Sequence, residues 1–135
     1  MIKQFVVQTN RQGLHDITGS IDVAIGPFGI DDGLCTVFIR HTSASLTIQE
    51  NADPSAQHDL ERWFNRLARE NDPLYTHTSE GPDDMPSHIK SALTATSLSI
   101  PIVGGRLALG IWQGIYLWEH RHTGAQREIV LHISN

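Results

Sequence analysis

Three stretches of this 135-residue chain collect side chains able to bind metal, move protons or hold anions. In YTHTSEGPDDMPSHIK, residues 75 to 90, His77 and His88 flank Glu80, Asp83 and Asp84. A helix predicted to start after Asp84 puts His88 about one turn in, and side chains four apart share a helix face. Two imidazoles with carboxylates beside them can bind a divalent cation, the carboxylates acting as ligands or orienting a ring. The spacing matches no high-specificity zinc signature. The same residues also read as a polar loop in which Asp84 caps the helix and satisfies His88.

The second stretch is RHTSASLTIQENAD, residues 40 to 53. His41 with Thr42, Ser43 and Ser45 suits either an active site or a hydrogen-bonded strand end. Asp53 is explained as the cap of the helix that follows, whose free amides make a natural anion site. Glu50 has no such duty, which leaves it available for acid/base or metal work. Nucleophilic hydrolysis through these serines is disfavoured, because no Gly-x-Ser-x-Gly elbow is present. Walker A and Gly-x-Gly-x-x-Gly phosphate loops are absent too.

The third stretch is IWQGIYLWEHRHTGAQRE, residues 111 to 128. It reads as a solvated strand and turn or as one wall of a binding site. On a regular strand Trp112 and Trp118 share one face, while Gln113 and Glu119 share the other with Ile111, Ile115 and Leu117. If the aliphatic face packs inward, the two polar side chains come to the edge of the core.

These residues need a scaffold, and the composition supplies one. With 39% apolar and 19% charged residues the chain is that of an ordinary globular protein. Its length suits one domain over residues 1–135, with roughly two-thirds of the unfolded surface buried. No segment approaches the ~18 apolar residues of a membrane span, and the start lacks a signal peptide's apolar stretch, so no membrane partner and a cytoplasmic location are expected. The net charge of −5 and the lack of a basic run argue against a nucleic-acid partner. Cys35, the single cysteine, sits in the apolar run LCTVFI and reads as a buried, inert thiol.

Strands are predicted over 2–9, 34–40, 45–49, 98–103, 106–118 and 128–133, with Gly104-Gly105 as a two-residue turn. A short helix with Ile17, Ile21, Ala24 and Ile25 on one side is expected to be capped by Thr18. A long helix over 54–70 carries the stripe Leu60, Trp63, Phe64, Leu67 and Ala68, and a third, starting after Asp84 and running through Thr94, places Met85, Ile89, Ala92 and Leu93 together. Gly110 and Gly114 mark a bulge or close approach in the long strand. The pattern is α+β: a mainly antiparallel or mixed β-sandwich with two or three flanking helices.

The stretch SLSIPIVGGRLALGIWQGI, residues 97 to 115, resembles the signature of the YjbQ-like family. Ser97, Ile100, Ile102, Gly105, Gly110, Trp112 and Gln113 fall in place, with Ile111 where threonine is usual. HTSASLTIQENAD and the Y-x-H followed by P-S-H-I-K resemble the family's other blocks. Where many members have an acidic-Gly-Pro-Arg turn after the residue matching Glu119, this chain has HRHTGAQR, so only Arg127 is matched there. The family has long been catalogued as uncharacterised and is often labelled secondary thiamine-phosphate synthase.

The resemblance implies a β-sandwich with flanking helices, a homotrimer, and a divalent metal such as zinc or magnesium held by His41, His77 and His88. The implied reaction joins hydroxymethylpyrimidine diphosphate to thiazole phosphate and releases pyrophosphate. On that reading Arg127 binds the phosphorylated substrate, Glu50 or Glu119 handles protons and Gln113 orients substrate. The rival expectation is a non-catalytic trimer that binds a small anionic metabolite or a metal.

Overall fold

The structure, a computed structural model describing residues 1–135, contains eight strands and three α-helices. In chain order these are β1 (Ile2–Gln8), β2 (Gly13–Asp16), α1 (Thr18–Ile25), β3 (Gly33–Ile39), β4 (Ala44–Glu50), α2 (Pro54–Leu67), α3 (Asp84–Leu93), β5 (Ser97–Val103), β6 (Arg106–Leu107), β7 (Gln113–Glu119) and β8 (Gln126–Ser134). Every strand pair is antiparallel. They form a five-stranded sheet, β1-β8-β3-β5-β6, and a three-stranded sheet, β2-β7-β4. The fold is therefore α+β, as expected from the sequence.

The main core lies between the sheets. Val37, Ile39, Ile129 and Leu131 come from the larger sheet, Leu46, Ile115 and Leu117 from the smaller, and Ile21 from α1 closes one side. Alternation on β7 sends Tyr116 and Trp118 to the other face, where they meet Leu14 and Phe64 of α2. β7 is thus covered on both sides, which is why its run from Gly114 to Glu119 is buried throughout. Cys35 is fully buried, and burial raises its thiol pKa to about 11.

The long strand expected over 106–118 is broken. β6 ends at Leu107 in the large sheet, and β7 begins at Gln113 in the small one. The chain changes sheets between them, and the Gly110 amide donates to Gln113 Oε1 at 2.7 Å within that crossing. Trp112 therefore leaves the strand and is exposed, whereas Trp118 is core. At Gly104-Gly105 the turn is as expected, with φ of 58° and 78°. β2 was not anticipated.

Two helix readings also change. Asp53 caps α2 by accepting from the Ser55 amide at 2.9 Å, but only Phe64 and Ala68 of the apolar stripe are buried, while Trp63 and Leu67 are exposed. Thr18 is not a cap; its hydroxyl accepts from the Ile115 amide at 2.9 Å and ties α1 to β7. On α3 the buried face is Asp84, Pro86, Ser87, Lys90 and Ser91, and Leu93 is exposed. An apolar stripe misreads this helix because its polar side carries the packing.

Phe64 meets Trp118 edge-on with ring centroids 4.7 Å apart. Phe64→Ala is expected to destabilise the fold by about 3–5 kcal/mol, measured as a lower urea midpoint with unchanged slope.

Candidate functional site

α3 begins where the acidic loop ends. Asp84 is in its first turn, almost fully buried, with His88 one turn on and His77 reaching back from the preceding loop. Asp84 Oδ2 lies 2.7 Å from His77 Nε2 and 3.3 Å from His88 Nε2. One ligand atom from each of the three residues falls within 4.8 Å of the others, and the rings stand edge to face with centroids 5.2 Å apart. Burial alone would raise the Asp84 pKa; the His77 hydrogen bond and the charges of His88 and Arg121 outweigh it and hold it below the ordinary carboxylate value. Two imidazoles and one carboxylate oxygen form a donor set that a divalent cation accepts. His77 also lines a cleft of about 260 Å³ with Asn71, Tyr75, Thr78, Gly81 and Met85.

A guanidinium stands at this cluster, but it belongs to Arg121 rather than to Arg127. Arg121 Nη1 is 2.5 Å from Asp84 Oδ1, Nε is 3.2 Å from Asp83 Oδ2, and Nη2 donates to the Glu80 carbonyl at 2.8 Å. The next residue, His122, donates its amide to Asp83 at 2.9 Å and pairs its ring with Glu70. Lys90 is buried and donates to Asn65 Oδ1 at 2.6 Å; burial pushes its amine pKa down while Glu70 and Asp83 push it back up.

The residues expected to act together fall into separate places. His41 does not join His77 and His88: its Nδ1 faces Arg127 Nη1 at 3.3 Å and its Nε2 accepts from the Glu128 amide at 2.8 Å. Burial and the Arg127 charge push its pKa down. Glu50 and Gln113 pair at one end of β4 and β7, while Glu119 pairs with Ala44 at the other. Six strand residues put these ends about 20 Å apart.

Glu119 is fully buried. Arg127 grips it through Nε at 2.8 Å and through Nη2, and the Thr9 hydroxyl donates to Oε1 at 2.5 Å. Burial alone would raise its pKa, but those bonds and the Arg121 amide hold it low. Glu119 and Arg127 are consequently a closed structural pair, inaccessible as an acid/base or an anion receptor. Their reach to the cluster is indirect, through the Arg121 amide, which donates to Glu119 Oε2 at 3.1 Å.

The helical spacing of Asp84 and His88 is legible in the sequence; Arg121 carries no comparable signal, since its partners are nearly forty positions away. The sequence also hides a serine–histidine contact. Ser45 Oγ is 2.8 Å from His120 Nε2, yet both residues are shut from solvent and His120 Nδ1 has no partner. Such a dyad cannot meet a substrate.

Fold and cluster define a small two-sheet α+β protein with a histidine–aspartate centre at the mouth of its third helix. The chain belongs to the UPF0047 protein YjbQ-like family, whose model matches residues 3–135. It is 54% identical over 129 residues to UPF0047 protein sll1880 of Synechocystis, covering 96% of this chain and 88% of that one. It is 43% identical over 129 residues to UPF0047 protein YjbQ of Escherichia coli O157:H7, covering 95% and 93%. An uncharacterised conserved protein of the same family from Clostridium acetobutylicum superposes with a TM-score of 0.89 at 34% identity, over 98% of this chain and 99% of that one. A hypothetical protein of Aeropyrum pernix K1 superposes at 0.90 with 27% identity, over 100% and 98%.

Burial and the charges of Lys90 and Arg127 push the His120 pKa from 6.5 down to about 3. The unfolded chain takes up a proton at this position below pH 6.5 while the native chain refuses it, so native stability falls as pH drops from 6.5 toward 3. The slope from this group is about 1.4 kcal/mol per pH unit. His120→Phe is expected to lack that component, as read from urea unfolding at stepped pH.

Proposed function

We propose that this chain is a metal-dependent enzyme acting on a small phosphorylated substrate, with its divalent cation held by His77, Asp84 and His88. The observation that carries the reading is the convergence of two imidazole nitrogens and a carboxylate oxygen within 4.8 Å, one of them from a residue that also lines a cleft. Imidazole donors suit zinc and other first-row metals, whereas magnesium favours oxygen ligands and bound water. Of the two metals the resemblance implies, zinc is the better fit. Bound there, it would neutralise a diphosphate leaving group or acidify a water.

This chain's own residues divide the remaining work. Asp84 presents Oδ2 to the cluster while Oδ1 is held by Arg121. The His122–Glu70 pair is open to solvent, Glu70 directly precedes Asn71 of the cleft wall, and this pair is proposed for proton handling in place of the buried Glu119. The activity proposed for the first assay is the one the family resemblance implies, joining hydroxymethylpyrimidine diphosphate to thiazole phosphate. The rival reading, a non-catalytic trimer holding an anionic metabolite or metal, gains support from one observation. Arg127 is buried against Glu119, and each guanidinium nitrogen of Arg121 already lies against Asp83, Asp84 or the Glu80 carbonyl, so neither stands as a dedicated diphosphate grip.

A homotrimer is proposed with either reading. Ile111 and Trp112 sit side by side at 84% and 60% exposure, and association would remove such apolar surface from water. Light scattering is expected to give three times the 15.0 kDa of one chain.

Elemental analysis of the purified chain is expected to find about one zinc per chain, and none in His77→Ala/His88→Ala, with circular dichroism unchanged. Pyrophosphate release from the two thiamine precursors should disappear in the same variant. Unchanged metal content there would refute the centre. Metal bound by the unaltered chain with no turnover would favour the binding protein.

A further inference from the structure

The strongest unassigned feature of the molecule is the way one side chain holds the acidic loop. Arg121 touches Asp84, Asp83 and the Glu80 carbonyl at once, so a single guanidinium fastens the loop to the start of α3. Its own backbone is fixed by Glu119, which lies inside the protein.

We infer that Arg121 is a positioning residue for the metal centre, gripping Asp84 by Oδ1 so that Oδ2 alone is offered to a cation beside His77 and His88. The inference rests on the metal reading above.

A carboxylate is able to chelate with both oxygens or bind with one, and it rotates between these modes unless something holds it. At Asp84 the choice is made by a charge-assisted hydrogen bond of 2.5 Å to one oxygen, while the other lies 2.7 Å from His77 and 3.3 Å from His88. Partners of this kind set ligand orientation and typically alter metal affinity by about 10–100-fold when removed. A lysine cannot replace the arrangement, because a point charge lacks the fork that reaches two carboxylates and a carbonyl together. Arg121 is already committed to this loop, since each of its nitrogens lies against one of these acceptors.

The test uses the full chain and two readouts, zinc affinity by competition with a chromophoric chelator and the visible absorption of the Co(II)-loaded protein. His88→Ala is expected to lose binding altogether. Arg121→Gln is expected to bind zinc about 10–100-fold more weakly. Its Co(II) bands should also lose intensity, as Asp84 becomes free to donate its second oxygen and raise the coordination number. A tether of purely structural importance would lower the melting temperature without changing that spectrum. Wild-type affinity and spectrum in Arg121→Gln would overturn the inference. Should that variant fail to fold by circular dichroism, Arg121→Lys decides: loss of affinity supports the fork, and full retention overturns it. If the unaltered chain binds neither zinc nor cobalt, the metal reading itself fails and the positioning role falls with it.

Discussion

The arrangement of the candidate centre depends on one buried carboxylate. Glu119 ends β7 inside the protein, where an unpaired charge would cost several kcal/mol. Arg127 and Thr9 satisfy most of its capacity, and the Arg121 amide takes what remains. Through that last bond the core dictates where residue 121 leaves the sheet. From there its side chain reaches the acidic loop. A pair that looks catalytic in sequence is thus the foundation on which a different arginine stands.

The sandwich explains why this transmission is rigid. β7 is the central strand of the small sheet, bonded to β2 on one side and β4 on the other, with the main core on one face and the aromatic cluster with Phe64 on the other. A strand held on four sides cannot shift without disturbing both cores. Its C-terminal end therefore presents Glu119, His120 and Arg121 at fixed positions, as strand ends on packed scaffolds commonly present function. α3 meets this end through Ser91, which donates to the Ala44 carbonyl at 3.2 Å, and through Thr94, which lies 2.6 Å from Ser45. Hydroxyls rather than hydrocarbons make that junction.

What the sequence revealed follows the range of the interactions concerned. Asp84 and His88 are four apart on a helix, and His77 is close enough in the chain for a loop to return it, so the cluster was readable from local spacing. The α+β pattern was readable for the same reason, since alternation and helical periodicity are local signals. By contrast, the split of residues 106–118 between two sheets depends on contacts made elsewhere, and a continuous apolar pattern conceals it. The polar packing face of α3 defeated a reading based on hydrophobic stripes. Arg121 has no counterpart in the family pattern that singles out Arg127, because this chain does not follow that pattern between Glu119 and Gln126. His41 joins the other histidines only through the family resemblance, whereas its strand end delivers it to Arg127 and Glu128.

Charge around the cluster gives the proposed reading its direction. Asp72, Glu80, Asp83, Asp84 and Glu70 gather around the loop and the start of α3 against Arg121 and Lys90, so carboxylates outnumber the Arg and Lys cations there. A site so charged attracts cations and repels phosphate. Adding a divalent ion would offset that charge, so in the proposed reading anion binding follows metal binding. This order also accounts for where the arginines stand: they hold carboxylates still, and in the proposed reading the attraction for an anionic substrate comes from the cation those carboxylates help to bind.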